Sequence, residues 1–219
     1  MPAYLILQLT GPMQAWGLPT FEGLRPSAPF PTRSGLLGLL GACLGIARNQ
    51  RQCLQQLADS VHFAVRCDAH GAHSPVNLTD FHTVKDAREK QSGLKQHDTI
   101  LTRREYLCDA SFTVAVWSDT AQDYSVQQLS EAVKKPVFTP CLGRRSCPLT
   151  KPLFHSIQEA DTPFAALSVA LPGTGAVYSE VPLSGKERRL SVRDEPLYHL
   201  PRQFARRAWY VIQEEAPCS

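Results

Sequence analysis

Residues 4–47 read YLILQLTGPMQAWGLPTFEGLRPSAPFPTRSGLLGLLGACLGIA, and the parsing of this stretch decides the fold. Tyr4–Leu9 is a short apolar run of strand length. A loop rich in proline and glycine follows and opens directly into the leucine- and glycine-rich segment 35–47. Thr32 or Ser34 is placed to cap a helix running to about Arg48, and Pro31 stops the helix from starting earlier. Leu36, Leu40, Cys43, Leu44 and Ala47 recur at helical spacing. The first N–H groups of a helix have no internal partners, so Arg33 and Ser34 beside them suit a phosphate.

Working outward, residues 51–59 read as a second short helix and Val61–Cys67 as a strand. Ala110–Trp117 is β-rich. Ser125 then caps a helix over Val126–Lys135, with Val126, Leu129 and Val133 on one face. Strand, helix, strand, strand, helix is the opening of a ferredoxin-like or RRM-like unit, so the expected class is α+β. Residues 69–104 form an insertion between its second and third strands. The insertion is polar, but Phe81–Val84 and Thr99–Thr102 alternate as strands do, which predicts a long β-hairpin projection. After Pro136, Asp161 or Thr162 with Pro163 starts a helix to about Ala170. Ala176–Glu180, Arg188–Arg193 and Trp209–Ile212 read as short strands of a smaller C-terminal β-rich region. The expected division is residues 1–140, carrying the insertion, and residues 141–219.

The chain has 219 residues, 43% hydrophobic and 20% charged, which fits a globular protein with a real core. No run approaches the roughly 18 apolar residues of a membrane span, and no secretory signal opens the chain, so a cytoplasmic address is expected. Seven cysteines lie at irregular spacing without a CxxC pair, the pattern of reduced structural thiols rather than a disulfide framework or a zinc site. No metal site or cofactor is expected. The net charge is only +3, yet it is unevenly spread. Residues 141–151 hold Arg144, Arg145 and Lys151 with no acid, and residues 186–207 hold seven basic residues against three acidic. Clusters of this kind can follow a phosphate backbone even where the whole chain is nearly neutral. Gly38, Gly41 and Gly45 share one helical face at a cost of roughly 0.5–1 kcal/mol each relative to alanine, which predicts a close approach to that face.

The wording of the chain is itself distinctive. GPMQAWG at 11–17, FEGLRPS at 21–27 and FPTRSGLLGLLGACLG at 30–45 are followed by FHTV at 81–84 and REYLCDASFTVA at 104–115. LGRRSCPLT at 142–150, RDEP at 193–196 and LPRQFA at 200–205 complete the set. In this order the motifs closely resemble the CasD family of subunits from type I-E CRISPR surveillance complexes (Cascade), within the RAMP superfamily. The resemblance covers nearly the whole chain. It implies a subunit in antiviral defence that holds the 5′ repeat-derived handle of a CRISPR RNA, caps the helical backbone of the complex and contacts the large subunit that reads the protospacer-adjacent motif. It implies no membrane partner and no homo-oligomer.

The same resemblance assigns the residue 69–104 insertion as a thumb that folds over guide RNA, with His82, Lys85, Lys95, Arg103, Arg104 and Tyr106 as candidate contacts. Single-stranded RNA is held by stacking and a few placed donors, so the near-balance of acids and bases in this segment is no objection. Gly143, Arg144, Arg145 and Ser146 stand where RAMP proteins carry a glycine-rich RNA-contacting loop. Here one glycine replaces a run, and the paired guanidinium forks offer compensation on phosphate. Gln14, Trp16 and Arg25 in the first loop are further candidates. An exposed Trp16 would stack on a base or a partner, whereas a buried one would anchor the loop. Arg202, Gln203 and Arg206, with Arg207, form a basic cluster for the RNA handle or a neighbouring subunit.

Metal-independent RNA cleavage would need a base for the 2′-hydroxyl and an acid or cation for the leaving oxygen. The seven histidines form no compact constellation in the sequence, and Lys95, His97 and Tyr106 come nearest to a set. No phosphate-loop or nucleophile-elbow motif is present. No catalytic residue is assigned. The expectation is a non-catalytic RNA-binding scaffold, with a metal-independent guide-RNA endoribonuclease as the alternative.

Overall fold

Strand β1 (Ala3–Thr10) alternates cleanly: Leu5, Leu7 and Leu9 enter one buried cluster, and Tyr4 and Ile6 enter another. It is therefore covered on both faces, which accounts for its near-continuous apolar sequence. The computed structural model describes residues 1–20, 23–68, 76–85, 99–118, 123–182, 185, 187–200 and 203–212.

The first loop carries four two-residue strands: β2 (Met13–Gln14), β3 (Trp16–Gly17), β4 (Leu24–Arg25) and β5 (Ser27–Ala28). Helix α1 (Arg33–Leu44) follows, then α2 (Arg51–Ser60) and β6 (Val61–Cys67). α1 stops four residues short of the expected Arg48. Gly45 takes a left-handed φ of 75°, and the Gly45 and Ile46 N–H groups close the last turn on Ala42 and Gly41. The expected close approach along the glycine face does not hold at Gly38. That residue is exposed, and a Cβ there would meet nothing within 4 Å. Gly41 does face α2, where a Cβ would lie 3.4 Å from Leu54.

β7 (Val76–Lys85) and β8 (Thr99–Cys108) pair antiparallel over ten residues, a longer hairpin than the two alternating tetrapeptides showed. β9 (Ser111–Ser118) and α3 (Val126–Lys134) come next. Ser125 caps α3 as expected and forms a reciprocal capping box with Gln128. The later elements are β10 (Phe154–Glu159), α4 (Pro163–Ala170), β11 (Val177–Ser179), β12 (Arg188–Pro196) and β13 (Phe204–Ile212). Thr162 caps α4 with Pro163 at its first position.

Seven strands form one antiparallel sheet in the order β10-β1-β9-β6-β11-β13-β12. The C-terminal strands thus extend the sheet begun by the N-terminal ones. α1 and α3 bury Leu36, Leu37, Leu40, Leu129 and Val133 on one face, and α4 buries Ala166 and Leu167 on the other. β10 has no counterpart in the sequence reading. It is an edge strand, and its residues FHSIQE are half-buried or exposed throughout, so no apolar alternation marks it. A second sheet joins β7, β8, β2 and β4, with β4 parallel to β8, so the hairpin is rooted in the first loop.

Candidate nucleic-acid interface

The first loop is fastened from within. Gln14 and Trp16 are both 0% exposed. The Gln14 amide nitrogen donates to the carbonyls of Ala110 at 2.7 Å and Leu9 at 3.2 Å, and its oxygen accepts from the Trp16 indole at 3.1 Å. The Trp16 ring lies against Gly35, where a Cβ would approach to 2.7 Å. Of the two roles open to Trp16, anchoring is the one it has. Neither side chain presents a surface to RNA, because a buried indole and amide of this kind complete each other's hydrogen bonds.

Arg33 is likewise internal, at 6% exposure. Its Nη1 donates to Glu180 at 2.7 and 2.9 Å and to the Val61 carbonyl at 3.1 Å, and its Nη2 donates to Ala58 at 2.5 Å. Its Nε lies 2.7 Å from Glu195 Oε2. Arg207 of β13 pairs with the same two carboxylates. Thr32 occupies the cap position of α1 without a side-chain cap bond. Asp194 supplies the missing acceptor, taking the Arg33 N–H at 2.8 Å and the Trp209 indole N–H at 3.1 Å. The anion at this helix start is therefore a carboxylate of β12, and the phosphate expected beside Arg33 and Ser34 has no vacant place there. The Ser34 hydroxyl lies 3.4 Å from that of Thr32.

This cluster ties α1 to the two C-terminal strands. Burial pushes the Glu180 carboxyl up, but the His62 ring and the charges of Arg33 and Arg207 outweigh it and hold it below the usual range. For Glu195 burial wins and its carboxyl is raised, despite the same two arginines. The sequence set Arg33 beside a helix start suited to phosphate and Arg207 in a basic cluster, with no sign of Glu180 as the carboxylate they share. Only the acids of RDEP inside a basic stretch hinted at internal pairing.

The loop at 142–146 divides its two arginines. Gly143 has φ of 85°, and a Cβ there would fall 1.8 Å from the Ala15 carbonyl oxygen, so the close backbone approach and the left-handed turn both require glycine. Arg144 stacks over the Tyr106 ring at 4.7 Å and donates to the carbonyls of Arg25 at 2.9 Å and Glu105 at 3.1 Å. It is a clamp joining the loop, β4 and β8, and Tyr106 beneath it is 5% exposed. Arg145 and Ser146 are exposed.

The hairpin presents a different surface. The strand register places Phe81, Arg103 and Leu24 in one row across β7, β8 and β4. Phe81 is 60% exposed and Leu24 46%, Leu101 one step along the same face is 53% exposed, and Arg103 is exposed between them. On the opposite face His82 contacts Asp80 at 3.2 Å, and the Arg104 Nε donates to Thr102 at 3.1 Å. Arg25 borders this sheet through β4. The Lys85 side chain, Lys95, His97 and Arg202 lie outside the described residues. Gln203 and Arg206 are exposed on the C-terminal hairpin. Arg103, Arg145 and Arg206 are thus exposed cations, while Arg33, Arg144 and Arg207 hold the fold.

The described histidines are dispersed. His62 stacks on Trp117 at 5.5 Å, His82 is on β7, and His155 contacts the Ala170 carbonyl at 3.1 Å. Among the described residues no group of three or more His, Cys, Asp or Glu is arranged to hold a metal, and no helix is long and apolar enough to cross a membrane. Burial pushes the Cys43 thiol up to about 11 and the Cys67 thiol up to about 12.

A family model described as CRISPR-associated protein (Cas_Cas5) matches residues 4–211. The chain belongs to the Cas5 family. It is 56% identical over 217 residues to the CRISPR system Cascade subunit CasD of Escherichia coli (strain K12), covering 97% of each chain. Among solved structures it resembles a chain of a CRISPR RNA-guided surveillance complex, at 29% identity and a TM-score of 0.75, covering 95% of this chain and 89% of that one. A crystal structure of a Cas protein is also similar, at 28% identity and a TM-score of 0.66, covering 97% and 94%. The Cas5 match spans both halves of the sheet and the hairpin.

Proposed function

We propose that this Cas5 protein is a non-catalytic, RNA-holding subunit of a Cascade-type surveillance complex. In this reading it holds the 5′ handle of the guide RNA, caps one end of the backbone subunits and contacts the large subunit. The observation that carries it is 56% identity, over 97% of both chains, to a protein named as a Cascade subunit. The strand order β10-β1-β9-β6, with helices between β1 and β6 and between β9 and β10, supports a ferredoxin-like core. The β7–β8 hairpin between its second and third strands stands where a thumb would.

The chemistry fits single-stranded RNA. An exposed Phe81 beside Arg103 offers a ring for a base and a fork for a phosphate on one flat face, and base–aromatic stacking contributes about 1–3 kcal/mol per base. Arg145 and Arg206 supply further phosphate donors. Sequence in the target is read by the guide's own pairing. Of the four described histidines, His62, His82 and His155 sit on β6, β7 and β10 and face different neighbours, and His199 lies in the turn after β12, which supports a holding role over cleavage. The test is co-expression with the other Cascade subunits and a guide RNA. Recovery of a complex containing this chain and an intact handle is expected, and a complex that assembles fully without it would overturn the proposal.

A further inference from the structure

Residues 134–139, KKPVFT, follow α3 and are exposed at every position. Val137 is 67% exposed and Phe138 48%. These two are not at the tip of a loose loop. The Val137 N–H donates to Cys43 at 3.1 Å and the Phe138 N–H donates to Ala42 at 3.0 Å, so both cap the last carbonyls of α1. Val137 also lies over Gly45, where a Cβ would come within 2.9 Å of it. An apolar pair held this firmly outside the core has a reason to face outward.

Its surroundings are basic. Lys135 and Arg48 are exposed, and the charge of Arg48 acts on the Cys141 thiol three residues beyond Phe138. Lys134 is turned away, pairing with Glu131 at 3.3 Å and resting over Phe154. Residues 134–151 contain no acid. The larger exposure belongs to Val137, a β-branched aliphatic that offers a nucleobase no stacking face. A fixed apolar centre with a cationic rim is instead the layout of a protein–protein anchor.

The geometry points to Val137–Phe138 as the anchor for another protein subunit, one presenting an apolar depression bordered by Asp and Glu. This rests on the reading of the chain as a Cascade-type subunit. The test assembles the chain with the remaining Cascade subunits and guide RNA, with a photoreactive benzophenone amino acid replacing Phe138. The expected adduct joins a protein subunit at a segment where acidic residues flank apolar ones. An adduct to RNA, an adduct to a segment without acids, or no adduct in an assembled complex would overturn the inference and leave the proposed function standing. A wild-type chain that never joins the complex would overturn both. In parallel, Val137→Asp with Phe138→Asp is expected to lower incorporation about tenfold or more while the isolated chain binds handle RNA as before. Undiminished incorporation contradicts the anchor.

Discussion

Arg33 Nη1 and Glu180 Oε2 lie 2.7 Å apart with side chains 7% and 2% accessible, joining the first turn of α1 to the segment after β11. The pair spans most of the chain, and Arg207 approaches the same carboxylate from β13. Removing one partner of such a pair leaves a buried charge uncompensated, at about 3–5 kcal/mol. Glu180→Gln is therefore expected to lower the urea midpoint sharply, with Glu195 left as the one carboxylate between the Arg33 and Arg207 charges. A midpoint within error of wild type would contradict the role given to this cluster.

The pH dependence follows from the opposed shifts. Glu180 has a folded-state value below its ordinary 4.5, so it contributes stability that is present above that pH and lost as pH falls towards the folded value. Glu195 is raised, so its charge opposes folding at neutral pH and its protonation on acidification relieves that cost. Unfolding from pH 7 to pH 3 should show the wild-type advantage over Glu180→Gln shrinking below about pH 4.5. An advantage that grows in acid would reverse the assignment.

Gly143→Ala should destabilise by several kcal/mol or displace the loop, because the added methyl carbon would meet the Ala15 oxygen at 1.8 Å on a backbone already at φ 85°. Gly38→Ala should instead stabilise by roughly 0.5–1 kcal/mol, since its helix position is open. Thermal unfolding of the two variants reads both signs. A neutral Gly143 variant would show that the loop relaxes freely.

The two neighbouring arginines should separate cleanly. Arg144→Ala removes two bonds to carbonyls and a ring contact, and is expected to cost about 1–3 kcal/mol of stability. Arg145→Ala should leave stability unchanged, weaken RNA binding and reduce its salt slope by roughly one phosphate contact. An Arg145 variant with an unaltered slope would remove that residue from the interface.

The two strands of the hairpin give the corresponding test on the exposed face. Phe81→Ala is expected to weaken RNA binding by about 1–3 kcal/mol with little effect on salt dependence, and Arg103→Ala to flatten the slope. Both should fold normally, as measured by unfolding midpoint. Equal loss of stability and binding would make the row structural.

Much of this was legible in the sequence where local chemistry acts alone. Ser125 and Thr162 with Pro163 mark helix starts through their own side chains, and the Tyr4–Leu9 run marks a strand. What escaped depends on contacts distant in the chain. Arg33 reads as a free cation until Glu180, 147 residues away, comes beside it, and the α1 start reads as an anion site until Asp194 fills it. β10 escaped because an edge strand needs no apolar face. Arg144 and Arg145 are identical in type and adjacent, so only the placement of Tyr106 and two carbonyls distinguishes a clamp from a surface cation.

The most direct test of the central claim incubates the purified chain with repeat-derived RNA in EDTA, at low and moderate salt, read on a gel for both binding and cleavage. Intact RNA is expected, with binding that weakens when the handle sequence is changed and when salt is raised. A discrete cleavage product, or binding indifferent to the handle, would contradict a non-catalytic handle-holding subunit.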